Sequence, residues 1–94
     1  MNKIAELLKS GNAAVVDVRT PAEFMGGHVS GSVNIPLNEL PIRMPEIKAM
    51  GKEIILCCAS GMRSGNAAAY LQQQGISCLN GGPWTDVNYY ANNN

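Results

Sequence analysis

Residues 53–75 read EIILCCASGMRSGNAAAYLQQQG, and their pattern is the strongest indication of the fold in this sequence. Its opening run, residues 53–58, is almost entirely apolar, which is typical of a strand buried on both faces of a parallel sheet. A short loop follows, and residues 63–74 have the character of a helix that stops at Gly75. The stretch therefore predicts a strand, a tight loop and a helix, with Cys58 at the carboxyl end of the strand.

The residues before this unit alternate between helix and strand patterns. The clearest helix start is Thr20, Pro21 and Glu23, which supply an N-cap, a proline at the first helical position and a glutamate at the third. In chain order we expect a helix over 1–10, a buried strand over 13–18, a helix from Thr20-Pro21 to Gly26-Gly27, a brief strand over 33–35 and broken helical turns between 37 and 50.

The residues after the unit complete the pattern. Residues 76–79 predict a last strand, Gly81-Gly82-Pro83 predicts a turn, and a short helix follows with Trp84 and Tyr89 as packing anchors. The asparagines at 92–94 are expected to fray. Alternating strands and helices predict an α/β fold, with a small parallel sheet of about four to five strands flanked by helices on both sides.

Composition excludes several classes of protein. The 94 residues, of 10.0 kDa, suit a single domain spanning 1–94, and the formal net charge is zero with only 15% charged residues. We therefore expect neither nucleic-acid nor membrane-surface binding, and a monomer. Three cysteines leave at least one thiol unpaired. The N-terminal residues lack signal-peptide features, so we expect a cytoplasmic protein, or a periplasmic one if a leader has been removed.

Cys58 is the candidate catalytic residue. Ligands of parallel sheets bind beyond the carboxyl ends of the strands, and the loop after Cys58 leads into a helix N-terminus. Converging backbone N–H groups, the helix dipole and the Arg63 guanidinium are expected to favour a nucleophilic thiolate. The alternative is a buried, inert cysteine. Candidate substrate-binding residues are Ala59, Ser60, Gly61, Met62 and Ser64, with Ala59 and Met62 expected to face the mouth of the site.

Residues 58–64, CASGMRS, resemble the CxxGxRS active-site loop of the rhodanese-like sulfurtransferases. The resemblance extends over about residues 5–84. The stretches Asp17-Val18-Arg19, Glu23-Phe24, Gly27-His28-Val29 and Gly31–Pro36 are similar, in order, to the family's DVR, EF, GHI and GAxNIP motifs, and residues 75–84 to its closing segment.

This resemblance implies a sulfurtransferase in which Cys58 carries sulfane sulfur as a persulfide. The donor would be thiosulfate or a small or protein-borne persulfide, the acceptor a thiol or cyanide, and no metal or organic cofactor would be needed. Four further residues are expected to support the site. Either Arg19 paired with Glu23, or Asp17 through its carboxylate, is expected to brace the loops around the site; the alternative is an ordinary solvated ion pair. His28 is interpreted as a hydrogen-bonding residue that fixes a loop, rather than a general base.

Three other interpretations of the cysteines fit the sequence less well. Cysteine phosphatases and arsenate reductases place five residues between their cysteine and arginine, whereas Cys58 and Arg63 enclose four, which suits one sulfur atom better than an oxyanion. Non-catalytic binding or sensing relatives commonly lack the cysteine. A zinc site formed by Cys57, Cys58, Cys78 and His28 is disfavoured, because adjacent strand residues point to opposite faces.

Overall fold

A central parallel sheet organises the computed structural model, which describes residues 2–93. Its four strands are β1 (Ala13–Asp17), β2 (Val33–Asn34), β3 (Glu53–Cys58) and β4 (Cys78–Pro83), and across the described sheet they run β2-β1-β3-β4. Strand β3 pairs with β1 on one side and β4 on the other. The apolar run of β3 therefore lies at the centre of the sheet, as its composition predicts.

Helices cover both faces of this sheet. They are α1 (Lys3–Ser10), α2 (Pro21–Met25), α3 (Met44–Ala49), α4 (Met62–Gln73) and α5 (Trp84–Asn92), with a 3₁₀ turn at Leu37–Glu39. Alternate residues of β3 enter two different cores: Leu56 packs with residues of α3 and α4, and Ile55 packs with Val87 of α5 and the apolar side of α1. The predicted α/β fold with a parallel sheet and helices on both sides is confirmed.

Local signals set the ends of the helices. The side chain of Asn2 accepts hydrogen bonds from the backbone of Ile4 and Ala5, and Gly11 ends α1 at φ 77°. Thr20 and Glu23 form the predicted reciprocal capping box of α2. Helix α4 begins at Met62 and ends at Gln73, one residue earlier at each end than predicted. Met1, predicted as part of the first helix, lies outside the described residues.

Strand β4 differs from its prediction. We expected a strand over 76–79 and a turn at 81–83, but β4 runs from Cys78 to Pro83. The reason is a bulge: Leu56 pairs with Asn80, Cys57 pairs with Gly82, and Gly81 is the extra residue between them. A Cβ at Gly81 would lie 2.7 Å from Val87 Cγ2 and 2.9 Å from Ile55 Cγ2. The glycine therefore allows the close approach of β4 to its neighbours.

The last helix also corrects the sequence interpretation. Tyr89, expected as a packing anchor, is 63% exposed, and the fully buried residue of α5 is Val87. Asn92, expected to fray, is the last residue of α5, and the Asn93 side chain donates a hydrogen bond of 2.8 Å to the Tyr89 carbonyl. Asn94 lies outside the described residues. Across residues 2–93, every helix is too short or too polar to cross a membrane.

Gly81→Ala should lower the free energy of unfolding by about 1–3 kcal/mol, because the added methyl group overlaps Val87 and Ile55. Urea unfolding measures the change. Gly26→Ala is the matched control, since Gly26 has φ −76° and its added methyl would meet the Glu23 carbonyl oxygen at 3.4 Å. A Gly81→Ala chain as stable as the Gly26→Ala control would contradict the close-packed bulge.

Candidate active site

Strand β3 delivers Cys58 to the point where the chain turns into α4. The Cys58 side chain is fully buried, as is Ser64 in the first turn of α4. Gly61 makes the turn with φ 97°, a conformation that favours glycine, and precedes the first residue of the helix. This turn directs the unpaired N–H groups of the helix start towards the sulfur.

Three hydrogen-bond donors from Gly61 and Ser64 lie close to the sulfur. The Gly61 backbone N–H lies 3.0 Å from Cys58 Sγ, the Ser64 backbone N–H lies 3.4 Å away, and the Ser64 hydroxyl lies 3.3 Å away. The predicted loop residues thus divide into two groups. Gly61 and Ser64 contact the sulfur through their polar atoms, whereas Ala59, Ser60 and Met62 are exposed, with Met62 77% exposed.

The three thiols have different pKa values because their surroundings differ. Burial by itself would raise the pKa of Cys58, but hydrogen bonds from the Ser64 hydroxyl and from the backbone of Ser64, Gly61 and Ser60 outweigh it and lower the pKa below its ordinary value. Burial, with the nearby Asp17 carboxylate, raises the pKa of Cys57 to about 12. Burial also raises the pKa of Cys78. Cys58 is thus the thiol most readily ionised.

Arg63, at the start of α4, pairs with a carboxylate of α2. Its guanidinium donates two hydrogen bonds, of 2.8 and 2.9 Å, to the two carboxylate oxygens of Glu23 in α2, and is not among the hydrogen-bond donors found around Cys58. Within residues 2–93, Arg63 therefore donates its side-chain hydrogen bonds to Glu23 and not to the sulfur; its charge still interacts with that of Cys58 and is offset by Glu23.

The pairing of Glu23 with Arg63 has a pH signature. Hydrogen bonds from Arg63 and Thr20 lower the pKa of Glu23 from 4.5 to about 2. Because the folded-state pKa is the lower one, this carboxylate stabilises the fold above pH 4.5, and that contribution is lost as the pH falls towards 2. The bridge therefore persists across the physiological range and ties α2 to the start of α4.

Of the two bracing contacts expected, the pairing of Arg19 with Glu23 is not formed, because Arg19 turns inward to the Asp17 carboxylate. Arg19 Nη2 lies 2.8 Å from Asp17 Oδ2 and 2.7 Å from the Gly27 carbonyl oxygen, and its guanidinium lies 4.9 Å from the Trp84 ring centroid. Asp17 is 0% and Arg19 5% exposed, so this is a buried pair and not a solvated one. It joins the end of β1 to the Gly27 loop and to the start of α5.

His28 is held by the helix before it. Its Nδ1 lies 2.8 Å from the Phe24 carbonyl oxygen, and its ring stacks on the Phe24 ring with centroids 3.7 Å apart. These contacts hold the His28 ring against the end of α2.

Asn80 is a site residue that the sequence interpretation missed. Its Oδ1 accepts hydrogen bonds from the Ser64 hydroxyl at 2.7 Å and from the Gly82 backbone N–H at 2.9 Å. Its Nδ2 donates to the Gly61 carbonyl oxygen at 3.1 Å. The available signal was a polar residue directly before two glycines in a segment interpreted as strand and turn.

The cysteines do not converge on a metal. Cys57 and Cys58 belong to the two different cores, on opposite faces of β3. Among residues 2–93, no group of three or more His, Cys, Asp or Glu side chains is placed to hold an ion.

The structure is thus that of an α/β protein with a buried cysteine at the carboxyl end of a central parallel strand, hydrogen-bonded by the amides of a short loop. The chain belongs to the rhodanese-like domain family, whose model it matches over residues 1–84. It is 41% identical over 69 residues to a sulfurtransferase of Allochromatium vinosum, a match that covers 73% of this chain and 64% of that protein.

Two further proteins are similar to this chain. The thiosulfate sulfurtransferase GlpE of Stutzerimonas stutzeri is 36% identical over 73 residues, covering 78% of this chain and 66% of that protein. A rhodanese from E. coli, solved with anions, superposes with a TM-score of 0.72 at 30% identity, covering 79% of this chain and 89% of that one. The chain thus spans just under two thirds of the length of the two sulfurtransferases.

Iodoacetamide at neutral pH should alkylate Cys58 well before Cys57 or Cys78, because only the thiolate reacts and only Cys58 has a lowered pKa. Peptide mass mapping over a pH series measures each site. Cys57 and Cys78 serve as internal controls in the same chain. Alkylation of Cys58 with the midpoint of an ordinary thiol, about pH 8.5, would contradict the stabilising role of the amides.

Proposed function

We propose that this chain is a sulfurtransferase, in which Cys58 takes sulfane sulfur from a donor and passes it to a thiol or cyanide. The observation that carries the proposal is the set of donors around Cys58 Sγ, from Gly61 N–H, Ser64 N–H and the Ser64 hydroxyl. The names of the relatives support the same class of reaction.

The reaction needs two displacements at sulfur. First, the Cys58 thiolate attacks the outer sulfur of the donor, a bond forms from Sγ, and the donor's S–S bond breaks. Its electron pair leaves with sulfite if the donor is thiosulfate, or with a thiolate if the donor is a persulfide. Second, the acceptor attacks the outer sulfur and the electron pair of the Sγ–S bond returns to Sγ. With cyanide the product is thiocyanate. No net electrons are gained or lost, so this scheme requires no redox cofactor.

The loop suits both states of the cysteine. Amides at the start of a helix stabilise an anion on Sγ, and the same concave set of donors favours the anionic outer sulfur of a persulfide. Cys58 is 0% exposed in the resting structure, so loop residues must shift before a donor reaches Sγ. Ala59, Ser60 and Met62 are exposed and have few packing contacts to lose.

Phosphoryl transfer fits the site less well. A cysteine phosphatase would need Arg63 to bind the oxyanion, whereas its two terminal nitrogens here donate to the two oxygens of Glu23. The loop also encloses four residues between Cys58 and Arg63, which leaves a small ring. Both observations favour a single sulfur atom over a tetrahedral ligand.

The direct test is the intact mass of the chain after incubation with thiosulfate or a persulfide donor. We expect a gain of one sulfur atom that is lost on addition of cyanide, and Cys58→Ser should abolish both the gain and turnover, by at least about a thousand-fold. Cys57→Ala is the matched control and should affect stability only. A folded chain that gains no sulfur from either donor would instead fit a non-catalytic binding module, and equal loss in Cys57→Ala would contradict the assignment to Cys58.

Donor preference should follow the charge at the mouth of the site. Ala59 and Met62 are uncharged and exposed, and the positive charge of Arg63 is offset by Glu23. A dianionic donor therefore meets little attraction, and we expect a high KM for thiosulfate and better use of an uncharged or protein-borne persulfide.

Ala59→Arg or Met62→Lys should lower the thiosulfate KM by about two- to five-fold, with kcat less affected and the gain shrinking as salt is raised. Steady-state thiosulfate:cyanide assays at two ionic strengths measure this. Ala59→Gln and Met62→Gln are the uncharged controls. A wild-type KM that is already low, or equal gains in the charged and uncharged variants, would show that mouth charge does not determine donor choice.

A further inference from the structure

The Ser64 hydroxyl has one proton and two neighbours that can accept it. Cys58 Sγ lies 3.3 Å from Ser64 Oγ on one side, and Asn80 Oδ1 lies 2.7 Å from it on the other. Both distances suit a hydrogen bond, since sulfur is the larger atom. A hydroxyl donates only one hydrogen bond at a time, so the sulfur and the amide compete for the same proton.

The orientation of the Asn80 amide is set by the backbone. The Gly82 N–H, at 2.9 Å, requires an acceptor, and the Gly61 carbonyl oxygen, at 3.1 Å, requires a donor. These two contacts place Oδ1 beside Gly82 and Nδ2 beside Gly61. The atom presented to the Ser64 hydroxyl is therefore an acceptor and cannot donate in return.

We propose that Asn80 is a positioning residue that controls where the Ser64 hydroxyl proton points, and so how strongly the Cys58 sulfur is held as an anion. When the hydroxyl donates to Sγ, the thiolate gains a side-chain donor in addition to the backbone. When the hydroxyl donates to Asn80, Sγ keeps the backbone N–H groups alone, those of Gly61 and Ser64 among them.

The competition for this proton would also assist the proposed sulfur transfer. Only this part of the inference rests on the proposed function. When Sγ becomes the inner sulfur of a persulfide it gives up its negative charge to the outer sulfur, and the Ser64 hydroxyl then loses its charged acceptor. Asn80 Oδ1 offers that hydroxyl a second partner at 2.7 Å. Asn80 therefore lowers the cost of leaving the thiolate state, and without it the loop would favour the unloaded cysteine.

Other titratable groups around Cys58 act independently of Asn80. They are Arg63 at the start of α4 and Cys57 on β3, with Asp17 of β1 and Glu23 of α2 acting on Arg63. An Asn80 variant leaves all four in place. In Asn80→Ala, which adds no charge, a change in the ionisation of Cys58 then reports the hydroxyl proton or the shape of the loop.

Two variants with opposite expected effects separate these explanations. Asn80→Ala removes the competing acceptor, so the pH midpoint of Cys58 alkylation should fall and alkylation below the midpoint should quicken by about three-fold. Asn80→Asp strengthens the acceptor and adds negative charge, so the midpoint should rise. Both variants lose the hydrogen bond to the Gly61 carbonyl, so a merely structural role for Asn80 would move both midpoints in the same direction.

The Ser64→Ala background completes the test. Without the hydroxyl, Asn80→Ala should no longer lower the midpoint, and Asn80→Asp should raise it less than in the wild type. Asn66→Ala, at an exposed position of α4, is the control for an asparagine lost near the site. Circular dichroism and urea unfolding identify any variant that fails to fold. If Asn80→Ala fails to fold, Asn80→Asp with and without Ser64→Ala still shows whether Asn80 acts through the Ser64 hydroxyl.

An unchanged or raised midpoint in folded Asn80→Ala would overturn the proposal, as would an Asn80 effect of equal size with and without Ser64. Alkylation requires no sulfur donor, so these results stand whether or not the chain transfers sulfur. Conversely, failure of the mass test with thiosulfate or a persulfide would remove the proposed function and leave the alkylation result intact.

Discussion

A sulfur atom shielded from water must be surrounded by hydrogen-bond donors if it is to carry charge, and the arrangement of this structure follows from that need. Cys58 is 0% exposed, so protein donors have to replace the water that a thiolate would otherwise bind. Gly61 and Ser64 supply them, through two backbone N–H groups and one hydroxyl. The donors converge because β3 ends at the sulfur, Gly61 turns the chain with φ 97°, and α4 begins immediately afterwards.

Three groups of contacts outside the loop hold that turn in place. The buried Asp17–Arg19 pair fixes the end of the neighbouring strand and reaches the Gly27 carbonyl. The Arg63–Glu23 bridge ties α2 to the first turn of α4. On the other side, the bulge in β4 brings its backbone close to β3, which lets Asn80 reach both Gly61 and Ser64. Charge near the site is consequently balanced in pairs, and the sulfur depends on dipoles more than on a neighbouring cation.

Sequence patterns predicted the features that depend on neighbouring residues. The apolar run before Cys58, the Thr20–Glu23 capping box and the parallel α/β architecture were predicted from local spacing and are confirmed. The errors concern contacts between distant segments. Arg63 and Glu23 are 40 residues apart, and nothing in their local sequences indicates that they pair with each other. The local sequence of Gly81 is typical of a turn. Its close neighbours, Val87 and Ile55, come from other elements and are brought to it only by packing. Asn80 was missed because its role depends on register across the sheet.

Hydrogen bonds from the loop, more than any side-chain cation, hold Cys58 as an anion. Backbone ¹⁵N–¹H resonances of Gly61 and Ser64, followed over a pH titration, test this most directly. We predict that both amides shift together, with a single midpoint below that of an ordinary cysteine, and that the shift disappears in Cys58→Ser. A midpoint at or above the ordinary thiol value, or amides that do not respond when Cys58 ionises, would contradict the account.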